Sequence, residues 1–207
     1  MAKSMCITYE VDSGLYVNMT NRCSNACTFC IRNNGDGAYG SDSLWLEREP
    51  TVEEVKDSVF SRDLSRYTEL VFCGYGEPSY RLADARAVAL AVKERAPHLR
   101  VRINTNGHSD LILGKDSAPL YKDAFDAVSI SLNTPSEERY REICKPRFEG
   151  AHTALIAFAS RVKDYVPSVS FSVVRETLTE QELELCYAIA EQAGVTLRVR
   201  DYIPPQT

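Results

Sequence analysis

Histidine is scarce in this chain: three of 207 residues, His98, His108 and His152, with none paired at the spacing of a zinc finger. No apolar run approaches the roughly 20 residues that span a bilayer. The first ten residues lack the apolar core of a secretory leader, so the expected compartment is the cytosol. An excess of positive charge is also missing. Against 29 Asp and Glu stand 24 Lys and Arg, a formal net charge of −5 without the basic face of a general nucleic-acid binder. Low-complexity tracts, internal repeats and composition breaks are absent as well, so residues 1–207 read as one domain. A domain of this length buries enough surface to fold without disulfide staples.

Cysteine, by contrast, is plentiful: seven, an odd count. In a reducing compartment, clustered cysteines are more often metal ligands or catalytic groups than disulfides. Cys6, Cys73, Cys144 and Cys186 stand singly and are expected mostly as small buried apolar side chains. Cys23, Cys27 and Cys30 form one cluster, C-S-N-A-C-T-F-C. Thiolates are soft anionic ligands suited to zinc or iron–sulfur clusters.

Short β-rich runs alternate with helical patterns along the whole chain. Candidate strands are 15–20, 69–73, 101–104, 127–132, 168–174 and 196–200, each rich in Val, Ile, Leu or Phe and ending near a turn former. The Arg-rich stretches 99–102 and 197–200 alternate with apolar residues, as strands do. Thr51 with Glu54 and Thr179 with Glu182 are capping-box signatures. They open helices running to about residue 60 and to Gly194, and further helices are expected at 82–95, 119–125, 137–143 and 151–165. The alternation predicts an α/β fold with a parallel sheet, since parallel neighbours need a crossover helix. Six units fall short of the eight that close a barrel, so a partial (βα)6-type parallel barrel is expected. A doubly wound open sheet is the alternative.

In parallel β/α folds, ligands bind where the strands end. The cysteine cluster follows the first strand. C-G-Y-G-E-P, from Cys73 to Pro78, follows the second, and N-T-N-G, from Asn104 to Gly107, the third. Ser129, Ser131 and Asn133 fall at alternate positions and share a face. Arg175 and Glu176 end the fifth strand. Gly74 and Gly76 admit close backbone approach, and the Glu77 carboxylate beside backbone carbonyls could hold a ligand ammonium. The bland reading is a tight turn with a solvated Glu77, and Asn104 and Asn106 are also common turn residues. Residues 32–50, with Gly35, Gly37, Gly40 and the sole Trp45, form the longest irregular stretch, either substrate-facing or simply a loop.

Three readings of the cysteine cluster compete. Structural zinc normally takes four ligands, and His108 near the rim is the one histidine that could complete it. A redox pair of Cys27 and Cys30 leaves Cys23 unexplained. A [4Fe–4S] cluster with one iron open accounts for all three cysteines. The runner-up function is a non-catalytic Fe–S or zinc protein acting as an electron carrier or regulator. A third possibility is an interaction module whose 32–50 loop binds a partner.

With Phe29 in its aromatic place, the Cys-x₃-Cys-x-aromatic-Cys pattern after the first strand resembles the radical S-adenosylmethionine (SAM) superfamily. G-Y-G-E-P resembles that superfamily's Gly-Gly-Glu segment, with Tyr75 as a departure. The motif N-M-T-N-R-C-S-N-A-C-T-F-C-I-R together with F-C-G-Y-G-E-P is similar to the small TatD-associated members. The resemblance implies an enzyme whose Cys23, Cys27 and Cys30 hold a [4Fe–4S] cluster, with SAM on the fourth iron. It further implies that Gly76 and Glu77 hold the SAM ammonium and that Phe29 packs near the adenine. Asn104, Ser131 and Asn133 would contact the ribose or methionyl part, and Arg175 the SAM carboxylate. A flavodoxin- or ferredoxin-type reductant is implied. The substrate, a small molecule or a macromolecule, is not readable from the sequence, nor are catalytic residues beyond these.

Overall fold

The computed structural model describes residues 3–203; residues 1–2 and 204–207, with the ends of the expected 1–207 domain and the start of its N-terminal segment, lie outside the described part. Seven strands form one sheet whose spatial order is the order of the chain. β1 (Thr8–Val11) and β2 (Gly14–Val17) make an antiparallel hairpin at one edge. β3 (Glu69–Phe72), β4 (Arg100–Thr105), β5 (Ala127–Ser131), β6 (Ser168–Val174) and β7 (Thr196–Arg200) then add in parallel. The crossovers contain α1 (Val52–Phe60), α2 (Leu82–Arg95), α3 (Ser109–Leu113), α4 (Glu137–Cys144), α5 (Ala151–Val162) and α6 (Glu180–Ala193). A doubly wound sheet reverses its strand order at a switch point. This sheet never does.

The two faces of the sheet differ sharply. One carries Leu15, Val17, Leu70, Phe72, Val101, Ile103, Val128, Ile130, Phe171 and Val173, all buried in the main core together with side chains of α1, α2, α5 and α6. The registers Asn104↔Ser129, Ser129↔Ser170, Ser131↔Ser172 and Ser172↔Arg198 put polar side chains side by side on the other face. Parallel sheets with helices on both sides are apolar on both faces. Here one face is free of helices and polar, as the lumen side of a partial barrel is. Curvature is also visible in what meets across that lumen. Arg200 on β7 lies within electrostatic reach of Tyr16 on β2 and of Cys73 just after β3. In a flat sheet, β7 and β3 would stand roughly 19 Å apart, four strand spacings. β1 and β7 do not pair, so the expected partial parallel barrel is open.

Both expected capping boxes form. Thr51 Oγ1 accepts from Glu54 N at 3.2 Å while Glu54 Oε2 accepts from Thr51 N at 2.8 Å. Thr179 and Glu182 repeat the exchange, and Gly194, at φ 70°, ends α6. Five expectations need correction. The hairpin strand β1 was not foreseen, and neither was the short α3. Residues 118–121 make a single 3₁₀ turn where a helix over 119–125 was expected; Lys122 turns extended and Asp123 adopts φ 64°, which ends it. The helix expected to reach residue 165 stops at Val162. The first parallel strand stops at Val17, because Asn18 leaves the sheet and donates from Nδ2 to the carbonyls of Cys6 and Leu44, at 3.2 and 2.8 Å.

The two-faced sheet has a direct energetic signature. Phe171→Ala, on the helix-covered face, is expected to cost about 3–5 kcal/mol through lost burial and a residual cavity. Its neighbour Ser170→Ala, on the lumen face, is expected to stay within about 0.5 kcal/mol. Urea unfolding of both variants measures the contrast, and equal losses would contradict the assignment of faces.

Candidate metal centre

Cys23, Cys27 and Cys30 lie on the loop that leaves the end of β2, and all three are half-buried. Burial pushes their thiols above the ordinary value, Cys23 to about 12, with the Glu77 carboxylate adding to the rise at Cys23. Cys27 is raised first by a hydrogen bond with Cys144 and then by burial. The Arg32 guanidinium opposes the rise at every one of the three. Arg32 is held by donating to the Asn25 carbonyl at 3.1 Å and by lying 6.0 Å from the centre of the Trp45 ring. Among the described residues, no three or more His, Cys, Asp or Glu side chains converge tightly enough to hold a single metal ion. A four-iron cluster makes a different demand, since each cysteine takes its own iron.

The segment after β3 is packed directly beneath this loop. A Cβ on Gly76 would lie 2.2 Å from the Thr20 carbonyl oxygen, and one on Gly74 would lie 2.1 Å from Asn18 Oδ1. Glu77 N donates to the Arg22 carbonyl at 2.7 Å. Gly76 therefore lets two backbones touch just ahead of Cys23, while Gly74 admits the Asn18 side chain. Glu77 is not the solvated turn residue of the bland reading, being 4% exposed. Its Oε1 accepts from Ser79 N at 3.0 Å and Thr105 Oγ1 at 2.7 Å, and its Oε2 accepts from Asn106 N at 2.6 Å. Burial raises its pKa, and these hydrogen bonds pull the other way.

His108 is wholly buried behind the cysteine loop. Its Nδ1 meets Ser24 Oγ at 3.1 Å and its Nε2 meets Tyr140 Oη at 3.2 Å. Asn106 Nδ2 donates to Ser24 Oγ at 2.8 Å, and Asn25 Nδ2 donates to Tyr140 Oη at 2.9 Å. Both imidazole nitrogens are thus engaged by groups that position the loop, which leaves neither free to bind a metal. Burial lowers the His108 pKa to about 4.

The remaining expected residues fall in different surroundings. Phe29 is half-buried against the main core. Asn104 Oδ1 accepts from Arg102 at 2.7 Å, and Ser131 ends β5 on the lumen face. Asn133 follows in a left-handed turn at φ 63°; its Nδ2 donates to Cys144 Sγ at 3.3 Å, and its Oδ1 is buried without a donor. Arg175 pairs with Glu180. Of the single cysteines, Cys144 and Cys186 are buried as expected, while Cys6 and Cys73 are only half-buried. Tyr75 is buried and donates to the carbonyls of Gly35 and Gly37, each at 2.9 Å. With Trp45 against its ring, it clasps the 32–50 loop onto a second small core of Tyr9, Ala38 and Leu44.

The family model described as the radical SAM superfamily matches residues 17–188. "Probable RNA methyltransferase sce1580" of Sorangium cellulosum (strain So ce56) is 29% identical over 154 residues, covering 69% of this chain and 35% of the relative. GTP 3',8-cyclase of Corynebacterium glutamicum (strain R) is 32% identical over 135 residues, covering 61% of this chain and 32% of the relative. The chain thus spans about a third of the length of these relatives. The crystal structure of Streptococcus suis SuiB bound to S-adenosylmethionine superposes with a TM-score of 0.63 at 15% identity, covering 93% of this chain and 39% of that one.

Two outcomes follow from the packing beneath the loop. Gly76→Ala is expected to cost about 1–3 kcal/mol or more, because the clash is with backbone that cannot rotate away; thermal melts read the loss. His108 gives stability a pH slope. The unfolded imidazole takes up a proton near the ordinary 6.5, while the folded one resists to about 4. Stability is therefore full above pH 6.5 and falls by on the order of 3 kcal/mol as pH drops through that window. His108→Gln should flatten the slope in urea titrations at pH 7 and 4.5, leaving the part owed to His152, whose pKa burial also lowers.

Proposed function

Since the chain belongs to the radical SAM superfamily, we propose that it is a radical SAM enzyme using one [4Fe–4S] cluster and SAM. Bound to this centre, cluster and SAM together supply a one-electron reductive cleavage to methionine and a 5′-deoxyadenosyl radical that takes hydrogen from a substrate. The observation that carries the reading is the rim loop itself. Three soft, half-buried thiols share Arg32 as a cation acting on each, with no carboxylate in the donor set. Cys23, Cys27 and Cys30 would each hold an iron, releasing a proton on binding. Arg32 offsets part of the negative charge that three thiolates gather.

The rim residues take complementary parts in this proposal. Gly76 brings the Gly74–Glu77 backbone under the loop. The Glu77 carboxylate, with three of its roughly four acceptor positions filled, keeps one for an ammonium group. Asn133 Oδ1, a buried acceptor lacking a donor, fits a ribose hydroxyl or ammonium of SAM. Asn104, opposite Ser129 in the ladder, and Ser131, at the end of β5, would contact SAM from the lumen side, and Phe29 would offer an apolar surface for adenine. Arg175 would reach the SAM carboxylate by sharing its guanidinium with Glu180. The apolar, helix-covered sheet beneath the rim keeps bulk water from that side. An external flavodoxin or ferredoxin would supply the electron. Among the described residues, no helix is long and apolar enough to cross a membrane.

Anaerobic reconstitution with iron and sulfide, followed by reduction in the presence of SAM, is expected to yield 5′-deoxyadenosine. Cys27→Ala should lose both bound iron–sulfide and that product, while its circular dichroism stays that of the parent apoprotein. Stoichiometric zinc without iron or sulfide in the purified protein, or a reducible cluster that never cleaves SAM, would falsify the proposal.

A further inference from the structure

Arginines on the lumen face differ in how their charge is met. Arg102 is neutralised internally: Nε and Nη2 donate to the Glu69 carboxylate at 3.1 and 2.5 Å, and Nη1 donates to Asn104 at 2.7 Å. Arg200 has no such partner. Among the described residues no carboxylate pairs with it, and its Nε is buried without an acceptor. The groups within electrostatic reach are Cys73, Tyr39 and Tyr16, which are neutral acids, and Arg198, which is a like charge. A guanidinium does not escape by losing its proton. Arg200 is half-buried, and its desolvation is met by no paired carboxylate among the described residues, so an anion from outside the described chain would offset it.

Arg198, which is solvent-exposed, lies one alternation step away on the same face, opposite Ser172 in the ladder. It lines a cavity of about 380 Å³ with Tyr16, Arg102, Ser129 and Ser170. That volume is at the lower end of small-molecule pockets. The cavity reaches down to Gly14, Glu69, Ala127 and Ser168 at the starting ends of the strands, away from the cysteine rim. Arg200 stands between this cavity and the rim, so a molecule held by Arg198 and Arg200 would present its other end toward the cysteine loop. Ser129 and Ser170 offer hydroxyls to an oxyanion there, and of the two carboxylates on the cavity, Asp12 and Glu69, the second is already paired with Arg102.

We propose that Arg198 and Arg200 form an anion-binding wall in the barrel lumen that grips a carboxylate or phosphate group of the substrate. Calling the bound molecule the substrate rests on the enzymatic reading above; the anion site itself rests on the geometry alone. SAM also carries a carboxylate, so the experiment must tell the two sources apart.

Calorimetric titrations of the anaerobically reconstituted protein with inorganic phosphate, with glutarate and separately with SAM do so. The wild type is expected to bind phosphate or glutarate, more weakly as salt rises. Arg200→Met should weaken that binding by about tenfold or more, since a charge-assisted fork is lost. It should leave SAM affinity unchanged and the melting temperature equal or higher, because a half-buried charge without a paired carboxylate has been removed. Arg200→Lys should retain more of the anion affinity than the Met variant. Three results overturn the proposal: neither probe binds; Arg200→Met lowers SAM affinity in parallel; or it melts lower or fails to fold, showing the charge to be satisfied within the protein. If the anion site behaves as expected but 5′-deoxyadenosine never forms, the enzymatic reading fails and the anion site stands.

Discussion

Glu77 joins three loops that leave three different strands, by its backbone and its carboxylate together, and the spacing of the rim depends on it. Its backbone abuts the approach to Cys23, while its oxygens hold the start of its own 3₁₀ turn and the end of β4. Buried polar groups are costly when half satisfied and stiff when fully satisfied. From Asn106 the network runs to Ser24, then through His108 and Tyr140 to Asn25. It leaves Glu77 and returns to the cysteine loop at two consecutive residues. The thiols are thereby placed by protein alone, ahead of any cofactor.

Electrostatics divides the molecule into zones that the net charge of −5 conceals. Arg32 serves the thiols, Arg102 is consumed by Glu69, and Arg198 and Arg200 have no paired carboxylate among the described residues. Acidic residues are instead enriched at exposed helix starts, such as Glu53, Glu54, Glu137, Glu138, Glu180 and Glu182, where helix dipoles favour them. Bulk charge reports mostly on that outer surface.

Much of the fold was legible because its signals are local. Capping boxes at Thr51 and Thr179, the six parallel strands and the spacing of Cys23, Cys27 and Cys30 are each written within a few residues. What escaped was set by distant partners. Whether Glu77 is solvated or buried depends on Thr105 and Asn106, some thirty residues on. Tyr75 looked like a departure from a glycine pair until the loop it clasps was in place. His108, Tyr140 and Cys144 carry no motif at all, and only tertiary packing brings them behind the cysteines. The alternating arginines of β4 and β7 did announce strands, but a strand pattern alone does not say which face becomes the lumen. β1 was missed because four residues, half of them polar, give too short a period to stand out.

The helix-free face of the sheet has an evolutionary reading. Its serines, asparagine and arginines contribute little to the main apolar core, which lies on the opposite face. Mutations that damage a fold do so chiefly by disturbing tightly packed interiors. Lumen residues can therefore be exchanged with small loss of stability, while the rim network keeps the thiols in place. Such a division lets descendants of one chain acquire new substrates by rewriting a single wall, with scaffold and chemistry inherited intact.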